Sequence, residues 1–147
     1  MTRHARLPPV LYHGTSVKNV ESICKRGLLR GNVERCGAIS KDRGFMEDCI
    51  GNVSLAVKEK DAIFFAVASS DDFEGDQAIF HIDTRKIRKE RCVKRKLFGG
   101  SEFKCFDDIP PEALTGVHIR RFVRKNGKLR AVDEWKNCKT VGHPNRT

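Results

Sequence analysis

Asn126-Gly127 constrains this chain more than any other dipeptide in it. It sits between two apolar-bearing segments, Val117–Val123 and Lys128–Val132, with Arg124-Lys125 leading into it. Asn-Gly supplies the two consecutive positive-φ residues of a two-residue turn, so the flanking segments are expected to pair as an antiparallel hairpin. Upstream, Pro110-Pro111 within Asp107–Glu112 must be a bend, because proline has no amide to give to a central ladder. Gln77–Asp83 (QAIFHID) reads as a buried strand, Asn52–Val57 as another, and Phe103–Phe106 as a short one after the Gly99-Gly100 turn. Asp61–Ser69, apolar at Ala62, Phe65 and Ala66, suits a buried helix.

The N-terminal unit has a different shape. Val10–His13 reads as a strand with His13 at its end, and Gly14 permits a tight turn. Thr15 or Ser16 suits a helix N-cap, Val17, Val20, Ile23 and Cys24 recur near helical period, and Gly27 suits the stop. Strand, helix, strand, helix, then several strands is α+β: a mostly antiparallel sheet system with helices packed outside. The 147 residues fit one domain, expected over 10–135, after a basic arm at 1–9 and before a polar tail at 136–147. Residues 29–51, with four glycines, read as a long loop, and long ordered loops in small domains tend to be functional.

Charge is segregated. The net balance is +10, and residues 84–96 hold eight Lys/Arg against Glu90 alone, while 118–147 hold nine against Asp133 and Glu134. A concentrated positive face attracts polyanions by counterion release, which points to a nucleic acid. Arg85, Lys86, Arg88, Lys89, Arg120, Arg121, Arg124 and Lys125 are the candidate contacts. No segment approaches the roughly 20 apolar residues of a membrane span, and the N-terminus lacks an apolar signal region. A cytoplasmic protein is expected, or a toxin delivered by other machinery. The six cysteines form no CxxC pair and no histidine pair has helical spacing, so reduced, scattered thiols and no metal are expected.

The chemistry-bearing residues fall in three groups. In Tyr12-His13-Gly14-Thr15-Ser16, the imidazole exchanges hydrogen bonds, Gly14 lets backbone approach a ligand, and two hydroxyls add contacts. Taken alone, the stretch reads first as an ordinary capped helix with a partly buried histidine. With Asn19, Ile23, Gly27 and Leu28 behind it, the stretch resembles the opening motif of the ADP-ribosyltransferase superfamily. That superfamily includes the poly(ADP-ribose) polymerases and other diphtheria-toxin-like transferases, the RNA 2′-phosphotransferases and the DarT-type DNA-modifying toxins. The resemblance implies that NAD is the substrate, with His13, Gly14, Thr15 and Ser16 at its nicotinamide ribose and amide. Asn52–Ala56, leading into Asp61–Ser69, resembles the second motif, with Ser54 at its polar position. The tyrosine that stacks on nicotinamide in the polymerases is absent, leaving Phe64 or Phe65 for that place, or for the core.

Ser101-Glu102-Phe103-Lys104 followed by Ile109-Pro110-Pro111-Glu112 resembles the third motif and makes Glu102 the catalytic candidate. A carboxylate there orients the ribose hydroxyl and stabilises the cationic sugar as nicotinamide leaves. Gly100 stands where arginine-specific members carry Gln or Glu, which argues against arginine as acceptor. The DarT-type resemblance also implies an essential arginine in the loop between the first two motifs. Arg43 is the candidate, with Arg30 and Arg35 in the same loop. The resemblance implies an ADP-ribosyltransferase-like split antiparallel β-sandwich with flanking helices, acting on a nucleic acid, and it implies an antitoxin or inhibitor protein as a partner. A protein acceptor, an RNA 2′-phosphotransferase and a non-catalytic nucleic-acid-binding module are the alternatives.

Overall fold

The computed structural model describes residues 6–30, 51–63, 76–97 and 100–140. Seven strands, β1 (Val10–Ser16), β2 (Val53–Ala56), β3 (Gln77–Asp83), β4 (Cys92–Leu97), β5 (Gly100–Cys105), β6 (Leu114–Lys125) and β7 (Lys128–Lys136), form one sheet in the order β4-β5-β2-β1-β3-β6-β7. Every neighbouring pair is antiparallel. The α+β class expected from the sequence is what the chain adopts.

Both faces of the sheet are covered near its middle. β3 is the clearest case, since Ala78, Ile79, Phe80 and Ile82 are fully buried. On one face Leu11, Leu55, Phe80, Ile82, Phe103, Val117 and Ile119 pack with Val20 and Ile23 of helix α1 (Val20–Arg26). Each such aliphatic or aromatic side chain contributes roughly 1.5–3 kcal/mol. On the other face Ala56 and Ile79 meet Ala62, with Tyr12 and Ile63 beside them, under the helical residues 59–63.

Gly27 ends α1 at φ 81°, ψ −172°, a backbone conformation closed to other residues. A Cβ there would lie 2.0 Å from the Ile109 carbonyl oxygen. Leu28 and Ile109 exchange two backbone hydrogen bonds at 2.9 and 2.8 Å, so the Pro110-Pro111 bend is anchored directly behind α1. At the other end Asn126 (φ 54°) and Gly127 (φ 74°) make the expected two-residue turn between β6 and β7.

The chain departs from expectation in three places. β1 does not turn at Gly14 but runs on through Ser16, because β3 offers partners: Gly14↔Ile79, Thr15↔Ala78 and Ser16↔Gln77. Gly14 is thus a buried strand residue, and a 3-10 turn at Val17–Asn19 leads into α1. The cationic segment 84–96, to which the sequence assigned no element, contains β4 in its second part, an edge strand whose residues 93–96 are exposed. Residues 136–140 do not fray. Lys136 closes β7, Asn137 caps a turn through the Lys139 amide (2.9 Å), and Cys138 is buried.

Candidate functional site

Register assembles the site. Tyr12 pairs with Ala56, and Ala56 with Glu102, so β1, β2 and β5 form a row that ends in a carboxylate. Two residues along, Ser54 pairs with Lys104. Alternation along β5 puts Gly100, Glu102 and Lys104 on one face. β1 and β2 share one registered pair only, and beside it His13 Nδ1 donates to the Ser54 carbonyl at 3.0 Å. A carbonyl only accepts, so Nδ1 carries the proton and Nε2 is the ring's second functional atom.

The remaining links are charged. Lys104 Nζ donates to Ser54 Oγ at 2.8 Å and lies 3.6 Å from Glu102 Oε1. Both side chains are enclosed, Glu102 at 3% exposure and Lys104 at 10%. A carboxylate taken so far from water is costly without a cation beside it, and Lys104 is a cation in that place. His13, Ser54, Lys104 and Glu102 therefore form one chain of contacts. Lys104 had no place among the sequence candidates, and its only local sign was its position two residues after Glu102 on an alternating strand.

Asp61 is the second addition. Its Oδ2 is enclosed without a hydrogen-bond partner and faces the Cα of Gly100, where a Cβ would lie 2.6 Å from it. Glycine at 100 leaves room for an acid from the helix at 59–63, on the strand face that carries Glu102. No local pattern marks Asp61, which reaches the site through the packing of that helix.

The other candidates are placed as follows. Thr15 is buried and its Oγ1 accepts from Asn19 Nδ2 at 3.0 Å; Gly14 is buried and Ser16 half-buried. Arg43 and Phe65, with Phe64 and Arg35, lie outside the described residues. Arg30 pairs with Asp108 at 3.4 Å.

The basic segments are divided over the sheet. Residues 92–97 are the edge next to β5 and β6 and β7 lie at the opposite end, while Arg85, Lys86, Arg88 and Lys89 lie in the connection that follows β3. Four of the eight candidate cations have acidic partners. Arg85 pairs with Asp83 (3.0 Å), Arg88 with Asp107 (3.3 Å), Arg120 with Asp133 (3.4 Å) and Arg121 with Asp76 (3.1 Å). Arg85's hydrogen bonds hold the Asp83 carboxyl below the usual carboxylate range. Lys86 donates to the Glu112 carbonyl at 3.3 Å, and Lys89, Arg124 and Lys125 are exposed.

Beside Tyr12 lies a second polar group. The His81 ring stacks edge-on against Tyr12 and Trp135, at centroid distances of 4.8 and 4.7 Å. Gly116 makes room for Trp135: a Cβ there would meet its ring at 2.1 Å. Burial lowers the His81 pKa, against the opposing pull of Glu59. His118 bridges Glu59 (2.6 Å) and Asp133 (3.0 Å). Among the described residues no group of three or more His, Cys, Asp or Glu is placed to hold a metal ion. No helix among them is long and apolar enough to cross a membrane.

No protein-family model and no curated protein matches this sequence. In three dimensions the chain is similar to EcPltA, with a TM-score of 0.53 over 91% of this chain and 87% of that one, at 13% identity. Such a likeness speaks to architecture: an open, multi-stranded antiparallel sheet flanked by helices, the ADP-ribosyltransferase-like fold.

Proposed function

We propose that this chain is an ADP-ribosyltransferase that cleaves NAD at the nicotinamide–ribose bond and passes ADP-ribose to a protein side chain. The observation that carries the reading is the Glu102–Lys104–Ser54–His13 chain of contacts, buried at its Glu102–Lys104 end. Glu102 is the catalytic carboxylate. Fixed in a site with little water, it stabilises the positive charge that develops on the ribose as nicotinamide departs. Lys104 pairs with it, and Ser54 ties Lys104 to β2. His13 Nε2, with the backbone of Gly14 and the hydroxyls of Thr15 and Ser16, binds the nicotinamide ribose and amide. Asp61 Oδ2, enclosed and without a hydrogen-bond partner, offers an acceptor for the hydrogen of the incoming nucleophile.

One observation favours a protein over a nucleic acid as acceptor. Four of the eight cations expected to hold phosphates are engaged by Asp83, Asp107, Asp76 and Asp133. One feature favours the nucleic-acid reading: the β6–β7 hairpin ends in an exposed ribbon with Arg124, Lys125, Lys128 and Arg130, a shape that fits a groove.

Adenine-labelled NAD, incubated with the chain and with separate protein, DNA and RNA pools, decides between them. Label on protein is the expected result. Label on nucleic acid alone, lost when Lys125 and Lys128 are changed to Ala, overturns the protein reading. Absence of label from every pool, with no nicotinamide released, overturns the transferase reading.

A further inference from the structure

Four of the six cysteines lie among the described residues, and they meet in two pairs. Cys92 and Cys105 stand directly opposite each other on β4 and β5, with their sulfurs in contact. Cys24, on α1, touches Cys138, just beyond β7. Cys92, Cys105 and Cys138 are buried, and Cys24 is half-buried.

A reduced cysteine packs as a small apolar residue and is served equally well by any aliphatic neighbour. Its S–H is a weak donor and its sulfur a weak acceptor, so two thiols gain little from facing one another. That each of the four faces another cysteine, in two unrelated parts of the fold, is unexplained by packing. A covalent bond explains both pairings, because a crosslink removes conformations from the unfolded chain.

We propose that Cys92–Cys105 and Cys24–Cys138 are disulfides in the working protein. The first clips edge strand β4 to β5, the strand that carries Glu102 and Lys104. The second ties the end of β7 to α1, the helix that follows the His13 strand, and so closes nearly the whole chain. Bridges of this kind persist in oxidising compartments, which places the site of folding outside a reducing cytoplasm, in contrast to the cytoplasmic reading of the sequence. The proposal stands apart from the transferase reading and needs none of its residues.

The chemistry is thiol–disulfide exchange with a small disulfide such as oxidised glutathione. One cysteine thiolate attacks the glutathione disulfide, forming a mixed disulfide and releasing one glutathione thiolate. The paired cysteine, after losing its proton to solvent, attacks the mixed disulfide and releases the second. Two electrons pass to the glutathione and one S–S bond forms in the protein.

The full chain, purified reduced, is equilibrated in an oxidising glutathione buffer, its remaining thiols are alkylated, and unreduced peptides are mapped by mass spectrometry. Peptides joined through Cys24–Cys138 and through Cys92–Cys105 are expected. Alkylation of all four thiols after oxidation, or crosslinks joining them in other combinations, overturns the proposal. A second reading is thermal: the oxidised chain melts higher than the reduced one. Cys24→Ser with Cys138→Ser loses more of that gain than Cys92→Ser with Cys105→Ser, because it opens the longer loop. Equal melting of oxidised and reduced chains overturns the proposal even where a variant fails to fold.

Discussion

Replacing Lys104 with Met removes a cation 3.6 Å from the Glu102 carboxylate and leaves Ser54 Oγ without its 2.8 Å donor. Methionine fills much the same volume, so packing changes little. The cost is electrostatic. Breaking a buried pair by removing one partner costs about 3–5 kcal/mol. The fold has an escape, since Glu102 can take up a proton. From an unfolded pKa of about 4.3, holding a glutamate protonated at pH 7 costs about 3.7 kcal/mol, which sets the ceiling on this penalty. In the variant the folded pKa of Glu102 stands above its unfolded value, so the folded state binds the extra proton and regains stability as pH falls. The penalty declines by about 1.4 kcal/mol per pH unit, to about 1 kcal/mol at pH 5. Urea unfolding of wild type and Lys104→Met at pH 5, 6 and 7 measures it. Lys104→Arg keeps the charge and recovers most of the loss. A deficit that is the same at all three pH values, or one that Glu102→Gln in the Lys104→Met background does not relieve, refutes the pairing.

Three further outcomes follow from named contacts. His13→Ala, losing one hydrogen bond to ligand, weakens binding of a non-hydrolysable NAD analogue about tenfold by calorimetry; unchanged affinity leaves His13 as a strut between β1 and the Ser54 carbonyl. Gly27→Ala costs about 3 kcal/mol or more, from its φ of 81° and its collision with the Ile109 carbonyl, read as a lower denaturation midpoint; a loss under about 1 kcal/mol contradicts that geometry. His81 titrates below the usual histidine range in an NMR pH series, because burial disfavours its charged form. The unfolded chain then binds the extra proton first, so this residue makes stability fall as pH drops below about 6.5, and His81→Phe removes that slope.

What could be read in advance depended on how local the signal was. The β6–β7 turn needs two left-handed residues, and Asn126-Gly127 announces them. β3 is a run of apolar residues buried on both faces, legible as such. Glycine at 14 misled, because a residue that permits a turn also lets strands pack closely, and only the presence of β3 decides which occurs. β4 was hidden because an edge strand bearing Lys94, Arg95 and Lys96 has the composition of a solvated surface, which is how edges resist aggregation. Lys104 and Asp61 enter the site through cross-strand register and helix docking, which relate residues dozens of positions apart. The basic segments looked like a polyanion face because their acidic partners, Asp76 and Asp107 among them, are distant in sequence.

The most direct test of the account is nicotinamide release from NAD by the folded chain and by Glu102→Gln, followed by chromatography, with circular dichroism to confirm that both are folded. Loss of one contact aimed at developing charge costs about 3–4 kcal/mol, so the variant should turn over at least a hundredfold more slowly than the wild type. Equal turnover by the two proteins, or no turnover by the folded wild type with protein, DNA and RNA acceptors all present, contradicts the assignment of Glu102 as the catalytic carboxylate of an ADP-ribosyltransferase.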